Sequence, residues 1–206
     1  MSYNPFNITI NLNRDKLPAD QELPVYILVQ IEPNQQAQDL VKKLPRKTHI
    51  VFAIDTSSSM DDQGKLDTAK EAIIRRFEKD LSEDDMISVV TFDEEANIII
   101  NSRLKKDASD FKTLIEGIKT GSLTNIYDAL EKSIEILKNS PEGYLRRIVL
   151  ATDGNPTEGV KDINVIAELV RNARKNFNIS IDVYGIGPDY GRELTKKIAD
   201  EATGWM

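Results

Sequence analysis

The 206-residue sequence has no cysteine and one histidine, His49. Without cysteine there are no disulfides and no thiolate metal sites. The absence also fits a reducing compartment, so a cytoplasmic location is the expectation. With no thiol and one imidazole, most nucleophile–base pairs used in covalent catalysis are unavailable. Long apolar runs are missing as well. The richest stretch, around Ile98-Ile99-Ile100, falls far short of the roughly 20 residues that span a bilayer. Met1 to Asn7 lacks the basic and apolar regions of a secretory signal. Basic excess is absent too: 27 Lys and Arg face 34 Asp and Glu, a net charge of −7, which argues against nucleic acid as the main partner. No phosphate-cradling Gly-x-x-x-x-Gly-Lys loop occurs.

What is present is enough for a folded core: 40% hydrophobic and 30% charged residues. From residue 46 onward, apolar runs alternate with helical patterns, the mark of a mostly parallel α/β sheet with helices on both faces. Ile50 to Ile54 is unbroken apolar sequence, as expected of a strand covered on both sides. Leu66, Ala69, Ile73 and Phe77 mark one face of a helix. Met86 to Phe92 reads as a second strand, and Ala96 to Ile100 as a short antiparallel edge strand. Helical stripes follow at Phe111 to Ile118 and Ile126 to Leu137, then strands at Ile148 to Thr152 and Ile179 to Ile186. Between those two strands lies a helix marked by Ile166 and Val170, and Leu194, Ile198 and Ala202 mark a last one. Trp205 reads as a packing residue.

Residues 1–45 differ. Ile8, Ile10 and Leu12 alternate with polar residues, and Val25 to Ile31 forms a second run, so an N-terminal β-hairpin is expected. Polar sequence from Pro33 to Pro45 reads as a linker to the second domain, residues 46–206. Two strands alone are marginal in water.

Ligands of open parallel sheets bind beyond the carboxyl ends of the strands. Three loops there carry oxygen donors: Asp55-Thr56-Ser57-Ser58-Ser59 after the first strand, Thr152-Asp153-Gly154 after the fourth, and Ser122-Leu123-Thr124 between two helices. Asp55, Ser57, Ser59, Thr124 and Asp153 together offer two carboxylates and three neutral hydroxyls. That donor set suits a hard divalent cation such as Mg²⁺, with Mn²⁺ or Ca²⁺ as alternatives. Each piece also has an ordinary reading. The serines and Thr124 are favoured helix caps, and Asp153-Gly154 is a common turn. Asp61 and Asp62 read as a solvated rim, and His49 as structural or solvent-facing.

Asp-x-Ser-x-Ser after the first strand, a distant Thr, and Thr-Asp-Gly after the fourth strand resemble the metal-ion-dependent adhesion site of von Willebrand factor A domains. The resemblance runs from about Lys47 to Trp205 and includes Gly64-Lys65-Leu66 and Tyr184-Gly185-Ile186-Gly187. It implies a Rossmann-like fold in which Ser57, Ser59 and Thr124 touch the metal, while Asp55 and Asp153 act directly or through water. It further implies a protein partner that contributes a Glu or Asp carboxylate. Ser58 and Leu123 stand where many relatives have glycine. Ser58 costs backbone freedom if that position requires positive φ, and Leu123 puts an apolar rim on the site.

The competing class is a Mg²⁺-dependent phosphohydrolase of the haloacid dehalogenase-like kind. That chemistry needs an acid two residues beyond the first Asp, where this chain has Ser57, so the expectation is a binding module and not an enzyme. The resemblance also implies a further strand beyond Ala199 to Gly204, so the sequence reads as truncated at its C-terminus. The strand at Ile179 to Ile186 then becomes an open edge, and with the unpartnered hairpin it leads us to expect weak self-association.

Overall fold

The structure is a computed structural model and describes residues 6–12, 24–37, 47–188 and 190–202. The chain divides into two compact units, Met1–Pro45 and Arg46–Met206.

In the first unit, β1 (Phe6–Leu12) pairs antiparallel with β2 (Ile27–Pro33). Ile8 lies opposite Ile31, Ile10 opposite Val29, and Leu12 opposite Ile27. Since side chains alternate between faces, these six share one apolar face, and Thr9, Asn11 and Gln30 share the other. The second strand begins two residues later than the apolar run at Val25 and takes in Pro33, the residue read as the start of a linker. The rest of that linker beyond Ala37 lies outside the described residues, as does Trp205.

The second unit is a Rossmann-like α/β fold. Its strands are β3 (Thr48–Asp55), β4 (Met86–Phe92), β5 (Ala96–Leu104), β6 (Leu145–Thr152) and β7 (Ile179–Gly185). They lie in the order β5-β4-β3-β6-β7, all parallel except β5. The helices are α1 (Lys65–Asp80), α2 (Phe111–Glu116), α3 (Ile126–Lys138), α4 (Ile163–Phe177) and α5 (Arg192–Ala202).

The unbroken apolar run of β3 is explained by its two covered faces. Ile50, Phe52 and Ile54 pack in one core with Leu66 and Ile73 of α1 and Phe111 of α2. Val51 and Ala53 face the opposite core, with Leu130 of α3, Val170 of α4 and Ile198 of α5. Phe111 stacks on Phe77 at 4.0 Å and meets Phe52 edge-on at 6.1 Å, which ties both helices to the sheet.

Strand β5 is nine residues long and does not stop at Ile100. Ser102 adopts a left-handed φ of 51°, and the pairing with β4 shifts register nearby. That irregularity breaks the alternation, so the last residues do not read as strand. β6 likewise starts three residues early, at Leu145. Its charged Arg147 is held by Asp182 of β7 at 2.9 Å, and Arg146 donates to the Phe177 carbonyl.

His49 is buried, with Nδ1 2.6 Å from Ser140 Oγ and Nε2 3.0 Å from Ser88 Oγ. Its role is structural, not solvent-facing. Burial, aided by the Arg146 charge, lowers its pKa to about 4.

Candidate metal centre

The chain leaves β3 toward β4 on one side, while β6 lies on the other side of β3. The crevice between the carboxyl ends of β3 and β6 is therefore the point where the connection direction reverses, the usual ligand position in such sheets. Ile54 is in register with Ala151, so Asp55 and Thr152 are adjacent across this crevice.

Asp55 forms the floor and is fully buried. Its Oδ1 accepts the Ser57 backbone N–H at 2.9 Å, and its Oδ2 accepts the Thr152 hydroxyl at 2.5 Å. Burial pushes the Asp55 carboxyl up to about 6, opposed by the hydrogen bonds from Thr152 and Ser57 and reinforced by the nearby Asp153 charge. A carboxylate that accepts one hydrogen bond on each oxygen keeps lone pairs that can accept a cation.

The loop beyond Asp55 folds into a 3-10 segment, Ser58–Gly64. Ser57 sits at its N-cap position but makes no capping hydrogen bond. Its hydroxyl instead lies 3.1 Å from that of Ser59, and Ser59 donates to Asp153 Oδ1 at 2.8 Å. Three of the expected ligands thus form one continuous run of oxygens. Ser58 is not among the residues with positive φ, so its side chain is accommodated without left-handed strain. Gln63 and Gly64 do take left-handed φ of 54° and 68°, turning the chain into α1 at Lys65.

Thr124 is buried, and its loop is tied to both others through backbone. Ser58 N–H donates to the Ser122 carbonyl at 3.1 Å, and Gly121 N–H to the Thr56 carbonyl at 2.5 Å. On the other side, Thr157 Oγ1 accepts the Thr124 N–H at 2.9 Å, and the Thr124 carbonyl accepts from Thr157 N–H at 3.0 Å. The capping role open to Thr124 falls to its neighbour: Asn125 caps α3 by accepting the Asp128 N–H at 3.2 Å. Leu123 is 37% exposed beside this loop, and Asp61 and Asp62 are exposed.

Among the described residues, no three His, Cys, Asp or Glu side chains are grouped as a metal site. The donors here are of another kind, two carboxylates supplemented by hydroxyls. Such a mixed oxygen set fits a hard six-coordinate cation. Lys65 also reaches the site: its Nζ donates to Asp153 Oδ2 at 2.6 Å. In the sequence, Thr152 is visible only as part of the Thr152-Asp153-Gly154 loop and Lys65 only within Gly64-Lys65-Leu66; no local pattern points to their contacts with Asp55 and Asp153.

A family model described as von Willebrand factor type A domain matches residues 49–204. Among curated relatives, bovine inter-alpha-trypsin inhibitor heavy chain H4 is 30% identical over 82% of this chain and 19% of its own length. The mouse heavy chain H2 is 33% identical over 78% and 18%. The Escherichia coli protein printed as uncharacterized protein YfbK is 25% identical over 93% of this chain and 36% of its own. The chain thus spans well under half the length of these relatives. Among solved structures, a von Willebrand factor type A protein from Catenulispora acidiphila superposes with a TM-score of 0.71 at 20% identity, covering 98% of this chain and 45% of that one. The manganese-loaded TRAP protein of Plasmodium vivax gives 0.62 at 18% identity, covering 75% and 63%.

Proposed function

The chain belongs to the von Willebrand factor type A domain family, and we propose that it is a divalent-cation-dependent binding module whose metal receives a Glu or Asp carboxylate from a protein partner. Domains of this family are in general protein-interaction modules. The observation that carries the cation reading is the run of oxygens from Ser57 through Ser59 to Asp153, beside the buried carboxylate of Asp55. Ser57, Ser59 and Thr124 would hold the ion through hydroxyls, and Asp55 and Asp153 directly or through water. Mg²⁺ or Mn²⁺ suits five protein donors better than Ca²⁺, which takes 6–8 oxygens. The manganese carried by the Plasmodium TRAP protein, a fold neighbour, is consistent with that choice.

When bound, the ion supplies a Lewis-acidic position that attracts an anionic oxygen. The chain's own residues hold the donors in place and keep the floor of the site dry. The haloacid dehalogenase-like alternative finds no support. Its general acid would stand where Ser57 makes a hydroxyl contact to Ser59.

Calorimetric titration with MgCl₂ and MnCl₂ tests the reading. The wild-type chain should bind at micromolar to millimolar affinity, modest because three of the five donors are neutral. Ser57→Ala together with Asp153→Ala should abolish binding while circular dichroism stays unchanged. Undiminished binding in that double variant would sink the assignment.

A further inference from the structure

Both oxygens of Asp153 are engaged by this chain. Oδ1 takes the hydroxyl of Ser59, the exposed one among the five candidate ligands, and Oδ2 takes the Lys65 ammonium. The Asp153 side chain is 2% exposed and that of Lys65 18%, so the contact is screened from solvent on the carboxylate side. It is also built in. Lys65 is the first residue of α1, set there by the left-handed pair Gln63 and Gly64. Its stem crosses the turn after β7 at Gly187, where a Cβ would lie 3.0 Å from Lys65 Cε and 3.6 Å from Cδ. Gly187 has a φ of +84°, so a side chain there is disfavoured on both counts.

We infer that Lys65 is a built-in counter-cation of the site, one that holds Asp153 in place without metal and weakens the hold on a divalent ion. The inference rests on the cation reading above. Asp55 and Asp153 supply two negative charges, and Lys65 returns one positive charge. Repulsion between an ammonium and a divalent ion sharing one carboxylate raises the cost of loading, because the low-dielectric surroundings screen it poorly.

The test compares wild type, Lys65→Met and Lys65→Arg by calorimetry with MgCl₂ and by thermal unfolding with and without the metal. Methionine keeps the stem over Gly187 and removes the charge. The Met variant should bind Mg²⁺ at least tenfold more tightly, unfold at lower temperature without metal, and gain more from saturating metal than wild type does. The Arg variant, which keeps the charge, should bind as weakly as wild type. Lys65→Gln, which retains a donor for Oδ2, carries the same comparison should the Met variant fail to fold. Wild-type binding with equal or weaker binding in the neutral variants overturns the counter-cation role alone. If neither wild type nor any neutral variant binds Mg²⁺ or Mn²⁺, the cation reading itself fails and takes this one with it.

Discussion

Thr152 donates its hydroxyl to Asp55 Oδ2 at 2.5 Å, across the crevice between the ends of β6 and β3. The two residues stand side by side because Ile54 and Ala151 are in register one step earlier. The bond is fully buried, and it opposes the rise that burial imposes on the Asp55 carboxyl. Replacing Thr152 with Val keeps the shape and deletes the donor. Losing one hydrogen bond to a charged group, with the Ser57 N–H still on Oδ1, costs about 1.5–3 kcal/mol. Urea denaturation of the metal-free Thr152→Val chain at pH 7 should show a loss of that size, and a variant as stable as wild type would contradict it.

Phe111 anchors α2, the shortest α-helix among the described residues of the second unit. Six residues are too few for a helix to hold itself in water, so α2 depends on packing. Phe111 is fully buried between Phe77 and Phe52. Phe111→Ala should therefore cost about 3–5 kcal/mol in a chemical denaturation experiment. A loss near zero would mean the neighbouring rings collapse into the space.

Much of this was legible in the sequence, for reasons that particular residues make plain. Ile50 to Ile54 announced a central strand because both its faces are covered. That Asp55, Ser57, Ser59 and Asp153 come close together was legible because strand ends in a parallel sheet converge on one edge, while their hold on a metal is the proposal made above. The tail of β5 was not legible, since Ser102 interrupts the alternation with a left-handed turn. Nor were the long-range polar contacts. Lys65 meets Asp153 across 88 residues of sequence, and His49 meets Ser140 across 91. Those pairings depend on which strands become neighbours and how helix α1 is aimed, and neither is written in a local pattern.

His49 gives the fold a defined acid sensitivity. Its folded-state pKa is lowered from 6.5 to about 4, so the folded chain resists a proton that the unfolded chain accepts. The stability this residue contributes is complete above pH 6.5. It is lost as pH falls from 6.5 toward 4, by about 3 kcal/mol in all. His49→Gln should flatten the part of the stability profile due to this residue between those pH values, at the cost of a lower plateau at neutral pH. An unchanged slope in the variant would assign the acid sensitivity to other groups.

The hairpin of the first unit carries the last prediction. Ile8, Ile10 and Leu12 of β1, with Ile27, Val29 and Ile31 of β2, are each between 50% and 63% exposed. They are not scattered, because the register puts them opposite one another on a single face. A contiguous apolar face of this kind drives association, whereas single exposed side chains do not. Static light scattering at rising concentration should therefore report an average mass above the 23.2 kDa of one chain. Ile10→Glu combined with Val29→Lys breaks the face while keeping a favourable cross-strand pair, so the hairpin itself is spared. That variant should return the mass toward a single chain. If its mass stays at the wild-type value, the apolar face is not the cause.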